Sequence, residues 1–296
     1  MIIKKLDIHA HVVLEKEYPC WGATNGMGLV CEELREMYDR IGVEKGVALP
    51  IVSPEHMTDQ LTVRAARTAV ETHPETIGWW FCNVDPRWLT NSPDADLSIP
   101  MEYYKSRGAK GLGEFTTNLP VDNPLMQNLF YHAEKCGLPI LFHIGQQGGD
   151  YGIVDELGLH KIEATLKKFP KLKLIGHSQK WWAEISGDCN EQNRNGYPEG
   201  PVTPGGRLVE LLRNYPNMYG DLSAGSGANA VMRDPAFGYK FLEEFQDKLF
   251  FGVDYCEPGN FMPLSQYLDD AVENGHISQK AYNKICRENL LALLEG

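Results

Sequence analysis

Short runs of β-branched and apolar residues alternate with longer amphipathic stretches from one end of the chain to the other, and this alternation constrains the fold most. Eight strands are expected, over 2–8, 45–49, 77–84, 109–115, 139–143, 172–177, 218–222 and 249–254. The helices expected between and after them cover 31–41, 59–71, 101–106, 124–136, 154–169, 206–214, 236–245 and 261–273, with a last amphipathic stretch over 278–294. Several are halted by Gly or Pro, as in KCGLP, KKFPKLK and RNYPNM, where the helix cannot continue. Eight strands and eight helices in 296 residues fit a single (β/α)8 TIM barrel of α/β class. An open doubly wound sheet is disfavoured, because no glycine-rich nucleotide loop follows the first strand. The segment 183–204, rich in Gly, Pro, Asn and acidic residues, reads as a loop insertion after the sixth strand and not as a domain boundary.

Composition removes several classes of function. No apolar run approaches the length that spans a bilayer, and MIIKKLDIHAH lacks the apolar core of an export signal, so a cytoplasmic protein with no membrane partner is expected. The formal net charge of -12 opposes binding to a polyanion, and no basic block offsets it, so nucleic acid is not an expected partner. A small molecule in a pocket is. Seven scattered cysteines form no CxxC pair, which argues against a disulfide framework and a cysteine zinc site. The outer faces of the barrel helices can support a homo-oligomer, although no coiled coil or other assembly signal is present.

Four of the nine histidines stand at the carboxyl ends of expected strands: His9 and His11 after the first, His143 after the fifth and His177 after the sixth. Glu114 ends the fourth strand and Asp254 the eighth. Because barrel strands all point one way, these side chains converge on the face where barrel enzymes keep their chemistry. Side chains alternate along a strand, so His9 and His11 project to one side and can share a metal ion. Imidazole and carboxylate suit zinc and similar divalent ions, which acidify water. Asp254 is the candidate base. HxH alone is a weak motif, and a lone strand-end histidine is more often structural, but six such residues on one face point together to a metal site.

The pieces DIHAH, ILFHIG, LIGHS, YPNMYGDLSA, FFGVDY and ENLLALL together resemble the amidohydrolase superfamily, in particular its amidohydrolase-2 branch, the enzymes similar to aminocarboxymuconate semialdehyde decarboxylase. The resemblance runs over nearly the whole chain and implies a metal-dependent barrel enzyme. It implies that His9, His11, His143 and Asp254 hold a divalent ion, usually zinc, and that His177 either binds a second metal or polarises substrate and handles a proton. Some members bridge two metals through a strand-four lysine or glutamate. Lys110 lies four residues nearer the strand start than Glu114, so Glu114 is the bridging candidate and one or two ions are open.

The leading expectation is hydrolysis of an amide, lactone or ester in a small polar or acidic molecule, with Asp254 and His177 catalytic. Non-oxidative decarboxylation of an aromatic or unsaturated acid is the alternative within the branch. A barrel that has lost activity would lack ligands, and here the set is intact. Arg87 with Trp88, Gln146, and Trp181 with Trp182 follow strands three, five and six and are candidates to bind substrate or wall the pocket.

Overall fold

A computed structural model describes residues 1–16, 28–53, 61–146 and 151–295. Its strands are β1 (Lys5–Ala10), β2 (Val43–Ala48), β3 (Ile77–Trp80), β4 (Leu112–Phe115), β5 (Ile140–His143), β6 (Leu174–His177), β7 (Met218–Asp221) and β8 (Leu249–Phe250). All pairings are parallel, in two runs ordered β1-β2-β3 and β4-β5-β6-β7-β8. Single bridges join the runs at both seams, Cys82 with Leu112 and Ala10 with Tyr255. Gly113 N donates to Cys82 O at 3.0 Å on the first seam, and Ile8 N to Phe251 O at 3.1 Å on the second. The chain is therefore a (β/α)8 barrel.

The helices are α1 (Cys31–Ile41), α2 (Val63–Thr72), α3 (Ser98–Lys105), α4 (Pro124–Cys136), α5 (His160–Lys168), α6 (Gln179–Ala183), α7 (Arg207–Asn214), α8 (Ala224–Met232), α9 (Pro235–Glu244), α10 (Leu264–Glu273), α11 (Gln279–Asn283) and α12 (Asn289–Glu295). Local chemistry sets their ends. Asn123 accepts from Leu125 N and Pro124 opens α4, while Gly137 at φ 69 closes it in the left-handed conformation.

Two apolar layers position the site. Leu6, Ile8, Val47, Leu49, Phe81, Leu141, Ile175 and Phe250 fill the barrel interior, and Leu290, Leu293 and Leu294 of α12 pack onto them. Alternate strand residues, among them Ala10, Ala48, Phe115 and Phe142, face outward into a second layer shared with the helices. Each large side chain so buried contributes about 1.5–3 kcal/mol, so the strands form a rigid frame beneath their carboxyl ends.

The structure departs from the sequence expectations beyond shifted element ends, such as β1 at Lys5–Ala10 and α5 starting at His160, in these places. β8 has two residues, not six, because the chain leaves strand geometry before Asp254, which sits at φ 54. The stretch expected over 278–294 is two α-helices joined by a five-residue π-helical segment, Lys284–Glu288. α6 and α8 were not expected: α6 is five residues long, and AGSGANAVM in α8 is too rich in small residues to show an apolar stripe. The start of the helix expected over 59–71 and Cys20 lie outside the described residues. Among the described residues, the six cysteines form no disulfide. No helix among the described residues is long and apolar enough to cross a membrane.

Candidate metal centre

The site begins with an irregularity in β1. Asp7 pairs with Gly46 and Ala10 with Ala48, so three steps on β1 face two on β2 and one residue is extra. Ile8 stays in the interior core while His9 turns toward the barrel mouth. The buried Asp7 carboxylate holds this bulge: Oδ1 accepts from His9 N at 2.8 Å and from Val253 N at 3.0 Å, and Oδ2 accepts from Tyr38 Oη at 2.5 Å. Burial pushes the Asp7 carboxyl up to about 7, against the pull of those donors.

Hydrogen bonds then fix the imidazoles. His9 Nδ1 donates to Asp221 Oδ2 at 2.6 Å, and His11 Nδ1 donates to the Leu49 carbonyl at 3.0 Å. With Nδ1 carrying the proton in both rings, each Nε2 presents a lone pair. The two Nε2 atoms lie 3.0 Å apart. Glu114 Oε2 lies 3.2 Å from His11 Nε2 and 3.6 Å from His9 Nε2; Asp254 Oδ1 lies 3.4 Å and 3.5 Å from the same two atoms. With both rings neutral, acceptor atoms face one another here, an arrangement that favours positive charge between them, supplied by a proton or a metal ion. The electrostatics agree: burial pulls the His9 pKa down, but the Asp254 and Asp221 carboxylates outweigh it and hold it well above the usual imidazole value.

The second half of the site adjoins the first. Glu114 Oε1 accepts from His143 Nδ1 at 2.8 Å. Burial alone would raise the Glu114 pKa, yet hydrogen bonds from His11, His143 and His9 hold it well below the ordinary carboxylate value. Ser223 Oγ lies 3.1 Å from His177 Nδ1 and donates to Asp221 Oδ2 at 2.8 Å, and His177 Nε2 lies 3.6 Å from Asp254 Oδ2. Burial opposes ionisation of Asp221, but His9 and His177 keep its pKa well below the ordinary value. Among the described residues three groups have donor atoms within 4.8 Å of one another: His9, His11 and Asp254; His9, His177 and Asp221; Glu114, His143 and His177. The first and third could hold a metal ion, whereas in the second His9 Nδ1 already donates to Asp221. All six residues singled out in the sequence therefore come together, with His143 grouped with Glu114 and His177 and not with His9 and His11.

The residues expected around the pocket fare differently. Trp181 is fully buried on the outer wall of β6, packed on Gly176 and edge-on to Phe142 at 5.8 Å, so it walls the helix layer and not the cavity. The reason is strand alternation: Gly176 faces outward between the inward Ile175 and His177. Trp182 is likewise buried and donates Nε1 to Asp221 O at 2.9 Å from behind. Arg87 is engaged by Asp85 Oδ2 at 2.9 Å and Thr117 Oγ1 at 3.1 Å, and Trp88 is exposed. Gln146 accepts from Lys180 Nζ at 3.2 Å at an exposed position. The cavity at the site is instead lined by His11, Glu114 and Asp254 with Val13, Leu29, Ile51, Leu61, Tyr151 and Cys256. Sequence reasoning missed Asp221 and Ser223, although YGDLSA places an acid at a strand end as FFGVDY does. It missed Tyr151 too, for which no periodicity gives a signal.

No family model and no curated protein sequence matches the chain. Solved structures do. An uncharacterised TIM-barrel protein from Bordetella bronchiseptica matches with a TM-score of 0.62 at 17% identity, covering 99% of this chain and 100% of that one. A probable 2-pyrone-4,6-dicarboxylic acid hydrolase from Acinetobacter baumannii, with citric acid bound, matches at 0.57 and 12% identity over 99% and 100% of the two chains. A 2,6-dihydroxybenzoate decarboxylase from Rhizobium matches at 0.58 and 14% identity over 99% of both. At these identities the likeness establishes the barrel fold.

Proposed function

We propose that this protein is a divalent-metal-dependent hydrolase that opens a lactone, ester or amide bond in a small, flat, acidic molecule. The observation that carries the reading is the meeting of His9 Nε2 and His11 Nε2, 3.0 Å apart, with Glu114 Oε2 and Asp254 Oδ1, each 3.2–3.6 Å from both. A divalent ion held there would acidify water and polarise a carbonyl. Two imidazoles and carboxylates suit zinc as the first choice. His9, His11 and Asp254 would hold one ion, and Glu114, with one oxygen toward each half of the site, supports a second at His143 and His177.

The protein's own groups divide the remaining work. Asp254 keeps 18% of its side chain exposed, against 6% or less for the others, so it is the acid that can reach solvent and substrate together. It takes the proton from the attacking water and returns it to the leaving group. With one ion bound, His177, aimed by Ser223 and Asp221, would hydrogen-bond the oxygen on which negative charge builds; a second ion at His143 and His177 would take that role instead. Val13, Leu29, Ile51 and Leu61 offer an apolar wall to the substrate body.

That wall also favours the second reading, decarboxylation of an aromatic acid, since the structural neighbours are named for a cyclic ester acid and for a benzoic acid. Incubation of metal-loaded protein with lactone, amide and aromatic-acid panels separates the two. The expected result is acid release without carbon dioxide; carbon dioxide without hydrolysis would replace the first reading by the second.

A further inference from the structure

The loop between β5 and α5 supplies Tyr151, whose ring lies 4.3 Å from that of His143 at an interplanar angle of 34°. Its near end is stapled to the barrel. Ile153 N donates to His143 O at 2.8 Å, Gly145 N to Ile153 O at 2.9 Å, and Gly152 N to Thr116 O at 2.8 Å. Its far end is held by the insertion after β6. Arg194, 4% exposed, donates Nη1 to Asp155 O at 2.9 Å and Nη2 to Glu156 O at 3.1 Å. The same Nη2 pairs with Glu184 Oε1 at 2.7 Å, and Glu184 Oε2 accepts from Gly158 N at 2.9 Å. A buried guanidinium spent on backbone carbonyls of another loop costs desolvation that an exposed residue avoids. One planar fork reaches both carbonyls and the carboxylate, which an amine does not.

We propose that Arg194 is a positioning residue, which clasps 155–158 from the insertion and thereby holds Tyr151 against His143 as a wall of the candidate site. The proposal rests on the reading of that site given above. The competing view is that the staples at 152 and 153 hold Tyr151 unaided and Arg194 only ties down the insertion.

Hydrogen exchange on the full-length protein tests the clasp without any ion or substrate. Arg194→Ala should speed exchange at Ile153 and Gly158 by about tenfold or more, leaving the β5 amides unchanged. Arg194→Lys, which keeps the charge, should show the same local loss and serves if the alanine variant fails to fold. The visible spectrum of cobalt(II)-loaded protein then reads the His143 end: Arg194→Ala and Tyr151→Ala should shift it in the same way. Unchanged exchange at Ile153 and Gly158 would overturn the clasp. Faster exchange with an unshifted cobalt spectrum would overturn the positioning role. Failure of wild-type protein to bind cobalt would count against the metal reading, while the exchange result still decides the clasp.

Discussion

The Asp221 carboxylate lies 2.6 Å from His9 Nδ1 and 3.3 Å from His177 Nδ1, so one buried acid orients two imidazoles that point into the barrel mouth from different strands. Such partners fix the tautomer and raise ligand basicity. Asp221→Asn should therefore weaken divalent-metal affinity by roughly 10–100-fold, read by competition with a chelator. An unchanged affinity would mean that His9 is held adequately by its backbone alone.

Glu114 divides its two oxygens between His11 and His143. If it bridges, wild-type protein should hold about two ions per chain and Glu114→Gln about one, by elemental analysis after dialysis. Equal stoichiometry in the two proteins would remove Glu114 from the metal site.

Glu184 makes a pH prediction away from the metal. Burial, its largest cause, lifts the carboxyl from 4.5 to about 7 even beside Arg194. The folded state thus retains a proton that the unfolded chain releases. Its contribution to stability is full below about pH 4.5 and is lost as pH rises through 7, a span of about 3 kcal/mol. Denaturant titrations should show wild type losing stability relative to Glu184→Gln between pH 5 and 8. A pH-independent difference would mean that Arg194 keeps the acid ionised throughout.

Gly176 lets Trp181 lie flat on the outside of β6, where an added Cβ would come within 2.3 Å of the indole. Gly176→Ala should destabilise the fold by about 1–3 kcal/mol in urea unfolding. A neutral effect would show that the indole has room to move outward.

The legible and illegible parts of the chain divide on physical grounds. Barrel strands are short apolar runs at regular spacing, so all eight could be read, and strand-end placement exposed His9, His11, Glu114, His143, His177 and Asp254 together. Helices with a strong stripe, such as Cys31–Ile41 and Pro124–Cys136, matched to the residue. What the pattern did not carry was direction and partnership. Trp181 follows a site histidine in sequence yet packs behind it, because a glycine on the outward side of β6 makes room there. Asp221 was hidden because its role exists only through His9 and His177, which stand on other strands. Arg87 read in sequence as a candidate to bind substrate and is met by Asp85 two residues earlier.

The most direct test is the divalent-metal content of purified, reconstituted protein beside His11→Ala. At least one equivalent per chain in wild type, reduced sharply in the variant, is the expected result. Wild-type protein that carries no stoichiometric metal and gains none on reconstitution would contradict the metal-dependent reading altogether.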